Sequence, residues 1–126
     1  MHKSKLAGFI IDCKTDDLPA ASAFWAGALG MQRRGLDGSE GENYVWLMDT
    51  QHGLHLEVQA VTHDSRIHMD IETDDIEAEV QRLEALGAKR FQQFPRWWVM
   101  EAPTGQRFCV VRAQSPDFER LATQWP

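Results

Sequence analysis

The sequence predicts an α+β fold built from two tandem βαβββ modules, and an internal repeat is the main reason. Three blocks recur in the same order, namely 11–20 with 69–78, 28–30 with 85–87, and 53–58 with 105–110. In the first pair Asp, Thr, Asp, Asp and Ala coincide, and the second pair reads Ala-Leu-Gly in both copies. Matched blocks in a fixed order indicate a duplicated unit, and each copy starts as a strand, a helix cap, a helix and a glycine.

The first module opens with a strand that leads into a capped helix. Asp16 or Asp17 caps this helix, Pro19 lies in its first turn and Gly30 ends it. We expect four apolar side chains of the helix to face inward, namely Leu18, Phe24, Ala28 and Leu29. Strands are predicted at about 31–36, 43–49 and 54–60, with a polar, glycine-rich loop at 37–42.

The second module repeats this order. Asp74 or Asp75 caps its helix, Asp74 and Glu77 have the spacing of a capping box, and Gly87 ends the helix. The predicted apolar stripe consists of Ile76, Val80, Leu83 and Leu86. Strands of the second module are predicted at 67–73, 89–94, 97–102 and 107–113. The chain is therefore expected to be one domain over 1–126. Its parts are module one at about 6–60, a linker at 61–65, module two at about 66–113 and a C-terminal helix at about 116–124.

Composition narrows the classes of function. The chain has 126 residues, 43% of them hydrophobic and 25% charged, and its net charge is −6. These values are typical of a soluble globular domain. No basic cluster exceeds Arg33-Arg34, no apolar run approaches a membrane span, and the run Leu6–Ile11 is shorter than the core of a signal peptide. Two cysteines are too few for a disulfide scaffold. We expect a cytoplasmic protein without nucleic-acid or membrane partners that binds a small molecule.

Strand alternation indicates which sheet face carries chemistry. Side chains alternate across a strand, so Leu54, Leu56 and Val58 should cover one helix, and Ile67, Met69 and Ile71 the other. The opposite face should then collect polar and aromatic side chains: His68, Glu57, Cys109, Arg107, Asp70, Trp46 and Trp98 (or Trp97). A solvated sheet face is the ordinary explanation for polar alternation. The tryptophans favour a ligand pocket instead, and we expect Glu57 to lie beside His68 in it. His52, His55 and His63 are expected to be solvated near turns.

Several motifs resemble a known superfamily. They are the paired modules, Phe24-Trp25 followed by Leu29-Gly30, and Ala-Pro-Thr-Gly-Gln-Arg-Phe at 102–108. Together they resemble the vicinal oxygen chelate superfamily, which includes glyoxalase I, bleomycin-resistance proteins and extradiol dioxygenases, and most of all its glyoxalase-like branch. The resemblance covers about 6–113. It implies the glyoxalase/bleomycin resistance/dihydroxybiphenyl dioxygenase fold, with curved antiparallel sheets, helices on the outer face and a homodimer.

The resemblance also implies four metal-ligand positions, which fall on Ile10, Glu57, His68 and Cys109. Ile10 cannot bind a metal, and Cys109 replaces a carboxylate. A site for zinc, nickel, manganese or iron would therefore use Glu57, His68 and Cys109, and a pocket without metal or with weakly bound metal is the other expectation.

Three functions follow from this ligand set. The favoured one is a glyoxalase-like small-molecule-binding protein of the bleomycin-resistance type. Its acidic and indole side chains would bind a cationic ligand. The alternative is a metal-dependent lyase, isomerase or dioxygenase in which Glu57 acts as the base. A regulatory module that has lost its ligand chemistry is the third.

Overall fold

The computed structural model describes residues 1–35, 43–48 and 53–126, which form two compact units. The first unit is Phe9–Ile67, and the second unit combines Met1–Gly8 with His68–Pro126. The elements in chain order are β1 (His2–Lys14), α1 (Leu18–Leu29), β2 (Gln32–Arg34), β3 (Tyr44–Met48), β4 (His55–Val61), β5 (Arg66–Thr73), α2 (Ile76–Ala85), β6 (Lys89–Gln93), β7 (Trp97–Glu101), β8 (Arg107–Arg112), α3 (Phe118–Leu121) and β9 (Thr123–Trp125).

This order confirms the α+β fold and the two βαβββ modules predicted from the repeat. The helix caps also agree with the sequence, because Asp17 and Asp75 accept hydrogen bonds from Ala20 and Ala78 at the helix starts. Both helices are followed by a glycine with positive φ, Gly30 at 67° and Gly87 at 110°. Such a backbone favours glycine because a side chain would clash there. The predicted loop at 37–42 and His52 lie outside the described residues.

The first unit orders its strands β2-β3-β4-β1. Strand β3 pairs antiparallel with both neighbours, so that Arg34 lies opposite Trp46, and Trp46 lies opposite Glu57. The opposite side chains of these strands pack with α1 into a core of Ile11, Leu18, Ala26, Val45, Leu47 and Val58. Alternation therefore separates an apolar face under α1 from a face that carries Trp46 and Glu57.

The inward face of α1 differs from the prediction. Leu18, Ser22 and Ala26 are its buried residues, whereas Phe24 is 64% exposed and Leu29 45% exposed. Ala28 is exposed as well. Positions four apart share a helix face, so burying Leu18 turns Phe24 and Ala28 outward. The sequence of this helix is almost uniformly apolar or small and therefore did not mark one face.

The second unit orders its strands β1-β5-β8-β7-β6. Helix α2 packs on β6, β7 and β8 over a core of Val80, Leu83, Met100 and Val110. One pairing departs from the expected antiparallel sheets, because β5 and β8 run parallel with Asp70 opposite Cys109. A helix and two strands separate β5 from β8, and this long connection lets the chain return in the same direction.

The first half of β5 is less covered than predicted. Ile71 packs against the α2 core, but Ile67 is 60% exposed and Met69 48% exposed. The pairing of β5 with β8 begins only at Asp70, and α2 packs on β6, β7 and β8. The core beneath α2 therefore does not extend to the first residues of β5.

The C-terminal segment was predicted as a helix over 116–124 and is mostly not helical. Only Phe118–Leu121 form a helix, and Thr123–Trp125 pair with the start of β1. The Trp125 indole donates a hydrogen bond to Ser4, and the guanidinium of Arg82 lies 3.8 Å from the centroid of the indole. Edge pairing and side-chain contacts thus take the place of the predicted helix. None of the three helices in the described part of the chain has the length and apolar character of a transmembrane span.

Candidate metal-binding site

Strands β5 and β8 bring three potential metal ligands together in the second unit. Asp70 and Cys109 are register partners, so both side chains leave the sheet on the face opposite α2. His68 precedes Asp70 by two residues and shares that face, with its Nε2 atom 3.4 Å from Asp70 Oδ1. One ligand atom from each of His68, Asp70 and Cys109 lies within 4.8 Å of the others. We call these residues the His-Asp-Cys triad.

The carboxylate of Asp70 indicates that the triad is suited to a cation. Its Oδ1 atom is buried and accepts no hydrogen bond from the described residues. The 3.4 Å contact with His68 is an ion-pair distance, but it does not have the orientation of a hydrogen bond. A buried carboxylate oxygen without a donor is costly, and a coordinated cation would remove that cost.

The distance between two of the donor atoms, on His68 and Asp70, also fits a metal. Ligand atoms ~2.1 Å from a tetrahedral ion lie about 3.4 Å apart, which matches the distance between His68 and Asp70. Imidazole, carboxylate and thiolate are all zinc ligands, and three protein ligands leave a position for water or substrate. The side chains of His68 and Asp70 are only 14% and 16% exposed, so the donors are partly shielded from solvent.

The same sheet face continues beyond the triad. Val99 lies opposite Cys109 on β7, and Arg107 lies opposite Glu101. Arg107 Nε donates a 2.8 Å hydrogen bond to Glu101, and its guanidinium carbon lies 3.4 Å from the centroid of the Phe91 ring. An apolar and a cationic side chain therefore share the sheet face of the candidate ligands.

Trp98 does not share this face and was wrongly predicted to line the pocket. It lies opposite Val110 and packs against the core beneath α2, with the Arg90 guanidinium 5.1 Å from its ring centroid. Trp97, the other candidate, lies on the triad face by strand alternation and stacks on Phe94 with the ring centroids 4.8 Å apart. The adjacent tryptophans must point to opposite faces, and the sequence did not show which one belonged to the core.

The first unit carries the remaining predicted site residues. His55 Nε2 lies 2.5 Å from Glu57 Oε1, and the His55 ring meets Trp46 edge-on with the centroids 4.5 Å apart. The Arg34 guanidinium lies 4.9 Å from the Trp46 centroid. His55 is thus part of β4 and bound to Glu57, not a solvated turn residue as predicted. We call this set the Trp-His-Glu cluster.

Glu57 and His68 belong to different units, so the expectation that they adjoin each other stays a prediction. The triad contains Asp70, which the sequence predicts in the pocket but not among the metal ligands, and it does not include Glu57. Ile10, at the fourth expected position, is buried and offers no ligand atom. The signal for Asp70 was present, because alternation already placed it on the face of His68.

Comparison with known proteins identifies the type of domain. Residues 8–111 match the sequence model of the glyoxalase-like domain family. No curated protein matches significantly.

Several solved structures share the fold. A Mn(II)-bound glyoxalase from Novosphingobium aromaticivorans has a TM-score of 0.59 and 19% identity over 89% of this chain, but only 40% of that chain is covered. Methylmalonyl-CoA epimerase from Mycobacterium tuberculosis gives 0.57 and 14%, covering 86% of this chain and 87% of that one. A glyoxalase/bleomycin resistance protein/dioxygenase superfamily member from Vibrio splendidus 12B01 gives 0.56 and 16%, covering 86% and 100%. At these identities the likeness concerns the fold.

Proposed function

Because this chain belongs to the glyoxalase-like domain family, we propose that it binds a divalent metal ion at the His-Asp-Cys triad and acts there on an oxygen-bearing small molecule. The observation that carries the proposal is the convergence of His68, Asp70 and Cys109 around a buried carboxylate oxygen that lacks a hydrogen-bond donor. Among the fold relatives, a Mn(II)-bound glyoxalase supports a divalent metal ion, and a methylmalonyl-CoA epimerase supports a small acyl compound as the substrate.

The ligand types favour an isomerase or lyase over a dioxygenase. Thiolate and imidazole suit zinc, which has no redox chemistry of its own. When bound, the ion would supply Lewis acidity toward substrate oxygens. The chain's own task is to hold that centre: Asp70 and Cys109 provide negative charge, and His68 provides a neutral nitrogen donor.

Glu57 remains the proposed base of the reaction. A carboxylate within reach of a substrate carbon can take up a proton, and the contact with His55 fixes the orientation of Glu57. If Glu57 is the base, Glu57→Gln should reduce turnover and leave metal binding by the His-Asp-Cys triad unchanged.

Cobalt(II) titration tests the metal proposal, because a cobalt–thiolate bond produces a charge-transfer absorption band in the near ultraviolet. We expect the wild type to show this band at about one equivalent of cobalt. Cys109→Ser should abolish the band. Cys13→Ser is the matched control, because Cys13 is the chain's other cysteine and packs against the core of the first unit. A band that survives in Cys109→Ser, or that disappears in Cys13→Ser, would contradict the proposal.

A second candidate is metal-free binding of a cationic aromatic compound, as in bleomycin-resistance proteins. The Trp-His-Glu cluster favours it, because the Trp46 ring already has a cation over it, Arg34, and Glu57 adds negative charge nearby. In that case a cationic dye would quench tryptophan fluorescence equally with and without a chelator.

We further propose that the protein is a cytoplasmic homodimer. Sedimentation velocity tests the oligomeric state.

A further inference from the structure

The sheet face beyond the triad points to the class of substrate. We infer that Arg107 recognises an anionic group of a substrate whose oxygens bind at the triad, so that the substrate is a carboxylate or similar anion with a metal-chelating end. This inference rests on the proposed function and adds a specificity-determining residue to it.

Arg107 has the position that such recognition needs. It precedes Cys109 by two residues on β8, which is about 7 Å along the strand, and both side chains leave the same face. The Arg107 side chain then extends toward β7 and β6, where it meets Glu101 and Phe91. Its guanidinium is therefore on the order of 10 Å from the triad. A benzene ring with chelating oxygens at one end and a carboxylate at the other spans such a gap.

The guanidinium is also held in place with donors to spare. Its Nε atom donates to Glu101, and the plane rests against Phe91 at 3.4 Å. Neither Nη atom has a hydrogen-bond partner among the described residues, and the side chain is 29% exposed. An arginine fixed by stacking and one hydrogen bond loses little conformational freedom when it binds a carboxylate through its free nitrogens.

Lys5 is a poorer candidate than Arg107 for this role. Its side chain is only 12% exposed and lies 3.7 Å from the buried carboxylate of Glu72. Val99, opposite Cys109 and two residues before Glu101 on β7, adds an apolar side chain to the same sheet face. Asp70 and a Cys109 thiolate would together balance the charge of a divalent ion. The neutralised centre would not attract an anionic group at the far end of a substrate, so Arg107 would distinguish an anionic group there from a neutral one.

Two compounds that differ in charge test the inference on the zinc-loaded protein. The probes are 3,4-dihydroxybenzoate and its methyl ester, which share the chelating hydroxyls. We expect the wild type to bind the carboxylate at least ~10-fold more tightly, as measured by isothermal titration calorimetry. Arg107→Gln should bring the ratio of the two affinities close to one. Comparing ratios between proteins removes the effect of the ester on the acidity of the hydroxyls.

Arg112→Gln is the matched control, because Arg112 is exposed on the same strand but belongs to the other set of alternating side chains. This variant should keep the wild-type ratio. Zinc content is measured in every protein. Equal binding of the two probes by the wild type, or an unchanged ratio in zinc-loaded Arg107→Gln, would overturn the inference and leave the metal site intact. A wild type that does not retain zinc would contradict the proposed function together with this inference.

Discussion

The buried Asp70 Oδ1 atom, beside the imidazole of His68 and the thiol of Cys109, separates the candidate metal site from an ordinary polar sheet face. Polar side chains on the solvated face of a sheet normally hydrogen-bond to water or to each other. Asp70 Oδ1 is instead buried without a hydrogen-bond donor among the described residues, and the carboxylate lies close to an imidazole and a thiol. The family pattern directed attention to Glu57, but two-residue alternation on β5 makes Asp70 the nearer carboxylate to His68 along the chain.

Two glycines in and after α1 should respond to alanine in opposite directions. Gly27 lies inside the helix, and a Cβ atom built there has no neighbour within 4 Å. Gly27→Ala should therefore raise the free energy of unfolding by about 1 kcal/mol, because alanine restricts the unfolded chain and favours helix. Gly30→Ala should lower it by about 1 kcal/mol, because Gly30 has a φ of 67°. Urea denaturation measures both; a destabilising Gly27→Ala would show that the open space around this residue is occupied in solution.

Among the elements, the two long helices show what patterning can and cannot predict. Helix α2 has charged residues around a narrow apolar stripe, and Val80 and Leu83 are buried as predicted. Leu86, the last residue of the predicted stripe, lies just after the helix and is 67% exposed. Helix α1 has no charged residue, so its sequence located the helix and its caps but not its inward face. For the same reason, adjacent Trp97 and Trp98 could be assigned to a strand but not to a face.

Helix α2 also depends on an ionised carboxylate. Glu79 is fully buried. Burial alone would raise the pKa of Glu79, but hydrogen bonds from Arg82, His2 and Ser4 outweigh burial and lower this pKa. A carboxyl group whose pKa is lowered by folding stabilises the protein above its unfolded pKa, and this stabilisation is lost as the pH falls through the folded value.

We therefore expect the free energy of unfolding to fall as the pH drops below about 4.5, the ordinary pKa of glutamate. Glu79→Gln should lower the free energy of unfolding at pH 7 by about 2 kcal/mol, because it removes charge-assisted hydrogen bonds. The same variant should flatten the acid limb of a plot of unfolding free energy against pH. Thermal or urea unfolding between pH 3 and 7 provides that plot, and an acid limb as steep as that of the wild type would contradict this role for Glu79.

For the whole molecule, the sequence predicted topology better than it predicted the site. A duplicated pattern of caps, glycines and alternating strands determines two βαβββ modules, and these follow from local chemistry. The site depends on which strands pair and in which direction. The parallel pairing of β5 with β8 places Asp70 opposite Cys109, and this register is a tertiary property that single-strand alternation does not contain.

Metal content by elemental mass spectrometry tests the central claim most directly. The protein is purified untagged and without chelator. It is then dialysed against a buffer that contains zinc and afterwards against a metal-free buffer. The His-Asp-Cys triad predicts about one zinc ion per chain in the wild type and in Glu57→Gln, and loss of zinc in Asp70→Ala and His68→Ala. Zinc retained by Asp70→Ala but lost from Glu57→Gln would contradict the triad and restore the ligand set expected from the family resemblance.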